Sequence, residues 1–529
     1  MTRFAAVCTV VALIGIGAVG ATIASGERKQ ERAGHYVVVA YFAGWDSSHG
    51  YDVKEIPAKA ITELNYAFAE PTAGGRCVPG SPRADYERPV VHAGDTVDGV
   101  PDVDATGAPL AGQHLFGNFN QLRKLKATDP RLKVFISIGG VSSSRYFSDV
   151  AATAAGRAKF VASCLDVFIK GNLPTGRWLA QAGGPGSAAG LFDGVDVDWE
   201  FPGVGAHASA ADGHNATLLL QEFRRQLDAL GGHVHKYYLL TAALPAGDLS
   251  ARAWELPQIT GSLDWINVMS YDFHGPWDRR TNFNSPFARS TSDPTRSARG
   301  LYEDTTGTIS LYSALGVPAD KLVVGVPFYA RQYLRVRALS NGLYQPFNNK
   351  GLTTSVADWT KALAPSYHQL VDIAGIAGPS ANPRLRGFSR HWDLGAGEPW
   401  LYARPTRQFG RRSGVFISYD NPRSLAERVG LIRSLHLRGA MIWEIGEDDN
   451  AHDLVRVFRP LLATAWGSQT RPRLSGALDS LGSALCCRSR GGVLALVVRL
   501  SRCPEPVRAV VAGWAAASLE GVGDSRPSP

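Results

Sequence analysis

The chain has 529 residues, 45% of them hydrophobic, enough apolar material for a large α/β domain with insertions. Its net charge of +8 sits mostly at the ends, where four basic residues outweigh two acids before residue 34 and eight Arg outweigh four acids after residue 466; no basic stripe runs through the middle, which excludes nucleic acid as a partner. Six cysteines, only Cys77 and Cys164 of them in the middle, exclude a disulfide scaffold, and no zinc-ligand spacing occurs.

The first segment, MTRFAAVCTVVALIGIGAVGATIASG, has a short basic start, an uncharged apolar run from Phe4 to Ala24 and small residues after it. That is the grammar of a secretory signal cleaved near Ala24, and residues 1–33 are set aside as such. The alternative is an uncleaved N-terminal anchor, since the run is long enough to span a bilayer. Either reading places the remainder outside the cytoplasm, and no other segment has the character of a membrane span.

From residue 34 to 466, apolar runs suited to strands alternate with helical patterns. The strand candidates are YVVVAYF (36–42), ITELNYAFA (61–69), LKVFISIGG (132–140), FDGVDVDWE (192–200), YYLLTAAL (237–244), WINVMSYD (265–272), KLVVGVPFY (321–329) and GAMIWEIG (439–446). Near-continuous apolar strands separated by amphipathic helices such as NATLLLQEFRRQLDAL predict a parallel sheet covered on its outer side. Eight such units predict an α/β fold, a (β/α)8 TIM barrel. No Gly-x-Gly-x-x-Gly turn follows the first strand to favour an open doubly wound sheet. The spare length is localised: residues 70–115 read as a polar loop and 173–190 as a flexible spacer. Residues 330–413 read as an α+β insertion subdomain between strands seven and eight, with the aromatics of a gripping surface. Cys164 reads as a buried helix residue rather than a paired or reactive one. Residues 467–529 keep no sustained period and read as a low-complexity, disordered tail.

The fourth candidate strand holds four acids in eight positions, Asp193, Asp196, Asp198 and Glu200. Alternation along a strand puts Asp196, Asp198 and Glu200 on one face and Val195, Val197 and Trp199 on the other. In a barrel the acids point inward. Neighbours two apart are about 6.6 Å from each other and repel by roughly 2.5 kcal/mol at an effective dielectric of 20. That is close to two pKa units, enough to keep one carboxyl protonated near neutrality and ready to donate a proton to a leaving group. Glu200, nearest the C-terminal mouth of the barrel, is the best-placed donor. A magnesium or calcium site is the competing reading; period-two acids on a strand do not wrap a cation, and no metal is expected. Asp193 reads as a structural cap at the strand's start. Trp199, Trp254, Trp265 and Trp359 are assigned to core packing.

At these residues the sequence closely resembles the family-18 glycoside hydrolases, the chitinases, over about residues 35–465. DGVDVDWE matches that family's Asp-x-x-Asp-x-Asp-x-Glu signature. SIGG (Ser137, Gly139 and Gly140), MSYD (Met269 to Asp272), GVPFYAR (to Tyr329 and Arg331) and MIWEIGED (with Trp443) match its other strand motifs. The resemblance implies that Glu200 acts as general acid and then base. It implies that Asp198 holds the substrate's N-acetyl group while that group's carbonyl oxygen attacks the anomeric carbon, with Asp196 sharing a proton or hydrogen bond with Asp198. Tyr271 would hydrogen-bond the acetamido oxygen, Asp272 would help bind the sugar, and Met269 belongs to the same substrate-binding motif. Trp443 would floor the subsite at the cleaved bond, Trp45 and Trp277 would stack neighbouring sugars, and Tyr329 and Arg331 would line the cleft. This is a substrate-assisted exception to the two-carboxylate mechanism. Val141 stands where the family often has Trp, which implies a weaker sugar grip near strand three; Ala330 replaces a usual Gly, and the tail resembles no carbohydrate-binding module.

The implied protein is a secreted, monomeric chitinase that hydrolyses β-1,4-N-acetylglucosamine linkages and requires no cofactor. The alternatives are an endo-β-N-acetylglucosaminidase on glycoproteins or peptidoglycan, and a chitin-binding lectin on the same barrel. Lectin relatives lack the last acid of the signature, and Glu200 is present.

Overall fold

A computed structural model describes residues 35–247, 251–294, 302–354, 358–406 and 413–463. The expected N-terminal segment and the tail lie outside the described residues. In chain order the strands begin with β1 (Val37–Ala43), β2 (Glu63–Pro71), its short hairpin partner β3 (Cys77–Pro79), β4 (Lys133–Gly139) and β5 (Gly194–Asp198). They continue with β6 (Leu239–Pro245), β7 (Trp265–Met269) and β8 (Leu322–Pro327). A small sheet follows, made of β9 (Arg331–Val336), β10 (Phe388–Asp393), β11 (Glu398–Ala403) and β12 (Gly414–Ser418), before β13 (Gly439–Trp443).

Neighbours run β1-β13-β8-β7-β6-β5-β4-β2, and β1 also pairs with β2, so the eight parallel strands close on themselves. This is the (β/α)8 barrel the sequence predicts. Closure removes both sheet edges and forces alternate side chains into two cores. Val195, Val197 and Trp199 pack outward, with Trp199 stacked on Phe147 at 5.3 Å. Val39, Phe135, Trp265, Val323 and Met441 fill the interior.

The longer covering helices are α1 (Gly117–Thr128), α2 (Ala154–Cys164), α3 (Asp212–Val234), α4 (Thr305–Ala314) and α5 (Pro422–Ser434). Helix α3 buries Leu219, Leu220, Phe223 and Leu227, one stripe at helical spacing, and ends on His235 in the left-handed region. Helix α5 starts on Asn421, whose side chain accepts from the N–H groups of Arg423 and Ser424, with Pro422 in the first turn.

Three details differ from the sequence reading. Strands β5, β7, β8 and β13 end two or three residues sooner than the apolar runs suggest, because the ladder stops where the chain turns out at the mouth. Glu200, Tyr271, Asp272 and Tyr329 therefore sit on the turns just beyond the ladder. The 173–190 segment is pinned rather than a loose spacer: Gly183 N–H donates to His114 C=O at 2.8 Å, Trp178 N–H to the Glu87 carboxylate at 2.8 Å, and Ala182 and Ala188 are buried. The antiparallel sheet of the insertion, ordered β10-β11-β12-β9, takes its third member from Gly414–Ser418, beyond the expected boundary at 413.

Candidate active site

Strand β5 delivers its acids in register with its neighbours, Asp196 level with Ser137 on β4 and Thr241 on β6, and Asp198 level with Gly139. Asp196 is fully buried and accepts four hydrogen bonds: Tyr41 Oη at 2.6 Å, Ser137 Oγ at 2.8 Å, Thr241 Oγ1 at 2.5 Å and Asn267 Nδ2 at 3.2 Å. Burial raises its pKa and these donors oppose the rise. Asp198 is not among its partners here, so the shared hydrogen bond implied by the resemblance is absent from this state. Asp198 is also buried, and its Oδ1 has no hydrogen-bond partner. Burial first, then the charges of Glu200 and Asp196, lift its carboxyl well above the usual range.

Glu200 stands half-buried just past the strand. Its own N–H donates to Ser144 Oγ at 2.9 Å, and that hydroxyl lies 3.1 Å from Asp198 C=O and 2.9 Å from Gly140 C=O. The N–H of Val141 reaches the Glu200 carboxyl and favours its charged form, but burial and the charge of Asp272 outweigh it and push the pKa to about 7. Among the described residues no basic side chain pairs with Glu200. The elevation therefore has a different leading cause from the same-strand crowding that the spacing suggests: burial comes first, and the charge that adds to it is that of Asp272, in the turn after β7.

Gly139 and Gly140 make this arrangement possible. At Gly139 (φ +117°) a Cβ would lie 2.0 Å from Asp198 C=O, and at Gly140 (φ +81°) it would lie 2.6 Å from the Phe68 ring. Both positions need a residue without a side chain.

Tyr271 is half-buried with its hydroxyl 3.8 Å from Met441 Sδ; burial and then the charges of Asp198 and Glu200 raise its pKa well above the ordinary value, so it stays a neutral donor. Met269, Tyr271 and Trp443 pack together over the apolar barrel interior. Trp443 is stacked on Phe68 at 5.7 Å and tilted against Tyr41 at 5.3 Å. Asp272 accepts from Tyr329 Oη at 2.8 Å and pairs with Arg331, whose guanidinium lies 5.5 Å from the Trp277 ring centroid. Trp277 and Trp45 are 60% and 40% exposed, large for tryptophan, and offer aromatic faces to solvent. A cavity of about 370 Å³ adjoins, lined by Trp45, Phe68, Glu70, Asp85, Ser143 and Tyr146 among others.

Asp193 stands apart from this group, at the other end of the strand. It takes Lys126 Nζ at 2.7 Å, Lys236 Nζ at 2.9 Å and the Val134 N–H at 3.1 Å. Trp199, Trp254 and Trp265 are buried away from the mouth, and Trp359 packs against the outer core. Sequence reasoning missed Tyr41, Phe68, Ser144, Thr241 and Asn267. Tyr41 was within reach, since Val37, Val39 and Tyr41 alternate on the face that turns inward; Ser144 and Phe68 had no local signal.

A closed parallel barrel with a half-buried acid at its mouth, two buried carboxyls behind it and aromatic faces around it is the architecture of a barrel glycoside hydrolase. The chain belongs to glycosyl hydrolases family 18, whose model matches residues 37–448. It is 36% identical to chitinase A1 of Niallia circulans over 79% of this chain and 58% of that protein. Chitinase C of Streptomyces lividans is 29% identical over 86% of this chain and 63% of that one. The chain thus spans less than two thirds of the length of either relative. The catalytic domain of psychrophilic chitinase B from Arthrobacter TAD20 superposes with a TM-score of 0.68 at 30% identity, over 80% of this chain and 95% of that one. Chitinase ChiA74 from Bacillus thuringiensis gives a TM-score of 0.64 at 31% identity, over 81% and 70%.

Proposed function

We propose that this chain is a chitinase, hydrolysing β-1,4 bonds between N-acetylglucosamine units with retention at the anomeric carbon. The observation that carries the reading is the Glu200 carboxyl, half-buried at the mouth with its pKa at about 7, directly before the buried and half-unpaired Asp198. The relatives named as chitinases support the substrate class.

In the first step Glu200 gives its proton to the glycosidic oxygen as the bond from that oxygen to the anomeric carbon breaks. The substrate's acetamido oxygen forms the replacing bond, steered by Asp198 and by the Tyr271 hydroxyl. Water then attacks the anomeric carbon, returns its proton to Glu200 and releases the acetamido group. Two inversions give retention. Asp196, held by four donors, fixes an acceptor group behind Asp198 and so steadies the carboxyl that meets the acetamido group. Trp443, Trp45 and Trp277 supply flat apolar surface for pyranose faces.

Cleavage of a chitin hexamer followed by anomer-resolved analysis tests the reading: the new reducing ends should be β. Glu200→Gln should lower turnover by about 10²–10⁴-fold while chitooligosaccharide binding persists. Initial α products, or full activity in that variant, would overturn the assignment. The same reading takes the protein to be exported, supported by the signal-like residues 1–33, and to act as a monomer; N-terminal sequencing of the culture-medium protein checks the first and its sedimentation the second.

A further inference from the structure

Two thiols lie outside the machinery just described. Cys77, on β3, and Cys164, the last residue of α2, are free, buried to 2% and 0% exposure, and part of one apolar cluster. After burial, the neighbouring Cys77 thiol is the next cause that raises the Cys164 pKa, which fits two side chains within reach of each other. The backbone brings them there independently: the N–H of Cys77 donates to Ser163 Oγ at 2.9 Å, one residue from Cys164. One turn earlier on α2, Lys159 Nζ donates to Gly74 C=O at 2.7 Å, in the turn between β2 and β3. The hairpin is thus tied to the helix at two places, with both buried cysteines beside one of them.

We infer that Cys77 and Cys164 form a disulfide that staples the β2–β3 hairpin to helix α2. Each thiol gives up its proton and the pair gives up two electrons; a disulfide-bearing oxidant, such as oxidised glutathione or a dithiol oxidase, accepts both and is reduced to two thiols. The order of events follows from burial. In the folded chain burial holds the Cys164 thiol well above its ordinary pKa, so little thiolate is present to attack, and no oxidant reaches it. The bond therefore forms while the hairpin is still open, and afterwards the same burial shields it from reduction.

The staple has a consequence for the cleft. On β2, Phe68 carries the stacked face of Trp443, and Glu70 accepts from Ser143 Oγ at 3.0 Å across the cavity wall. The hairpin return is clamped to the same strand by Gly80 N–H donating to Phe68 C=O at 3.1 Å. A covalent link at Cys77 braces that wall from outside. The cross-link also closes a long loop, from residue 77 to 164, which in the chain-entropy account is where a disulfide stabilises most.

The test uses the full chain folded in a glutathione redox buffer, alkylated without reduction, denatured and digested with trypsin. Residues 77–83 (CVPGSPR) and 160–170 (FVASCLDVFIK) each hold a single cysteine and should appear as one linked species. Finding both peptides alkylated as free thiols, or either linked to a different cysteine, overturns the inference. A second measurement covers stability. A reductant present throughout folding should lower the melting temperature of the natural chain by about 5 °C. It should leave that of the double variant Cys77→Ala/Cys164→Ala unchanged; equal sensitivity in the two proteins overturns the inference as well. Neither measurement depends on the chitinase reading.

Discussion

Burial lifts the Glu200 carboxyl to about 7 and the negative charge of Asp272 adds to the lift. The acid form does the first step, so kcat/KM should fall as pH rises through about 7. Asp272→Asn removes the added charge and should move that alkaline limb to lower pH, by less than about one unit. A pH–rate profile that stays in place, or moves upward, contradicts the electrostatic account. Gly139 offers a steric counterpart. Gly139→Ala would put a methyl 2.0 Å from Asp198 C=O at a backbone angle that L residues rarely adopt. Strand β4 must then move off β5, and both turnover and thermal stability should drop together; a variant with normal kcat would show that the close approach is dispensable.

At the scale of elements, the insertion sheet is joined to the barrel through one buried cation. Arg428 on α5 is fully buried, with Nη2 2.6 Å from Glu398 Oε1 on β11 and Nη1 3.2 Å from Asp420 Oδ1 after β12. It also donates to Ser285 Oγ at 3.0 Å, in the turn region after β7. Burial and the charge of Asp420 push the Glu398 carboxyl well up, and Arg428 opposes the push. Removing the cation strands two acids in an apolar setting. Arg428→Ala should cost about 3–5 kcal/mol in chemical denaturation. Because the same sheet begins at Arg331, which pairs with Asp272, substrate affinity should weaken with it.

Over the whole molecule, buried carboxyls set the response to pH. Burial is the leading cause that carries Asp46 and Asp448 to about 7, Glu447 to about 8, and Asp85 and Asp304 to about 6. In the unfolded chain such groups titrate near 4. Their folded pKa values are raised, so the stability they contribute is full below about pH 4 and is lost as pH rises through 6 to 8. The melting temperature should therefore fall between about pH 6 and pH 8 at constant ionic strength, read by calorimetry. A rise over that interval would show that groups with depressed values, such as Asp193 between its two lysines, dominate instead.

The eight strands, the inward pair Asp196 and Asp198, and the outward pair Val195 and Val197 were determined by the sequence itself. A period of two along a strand is a local property, and a buried parallel strand leaves its apolar run in consecutive residues. Tertiary structure alone decided the rest: where each ladder ends, that the charge of Asp272 acts on Glu200, that Tyr41, Ser137, Thr241 and Asn267 surround Asp196, and that Cys77 and Cys164 are buried in one cluster. Those pairs are separated by 45 to 155 positions around Asp196. Closing a sheet into a barrel brings such residues together through the register of neighbouring strands, and register is a property of pairs of segments that no single stretch of chain encodes.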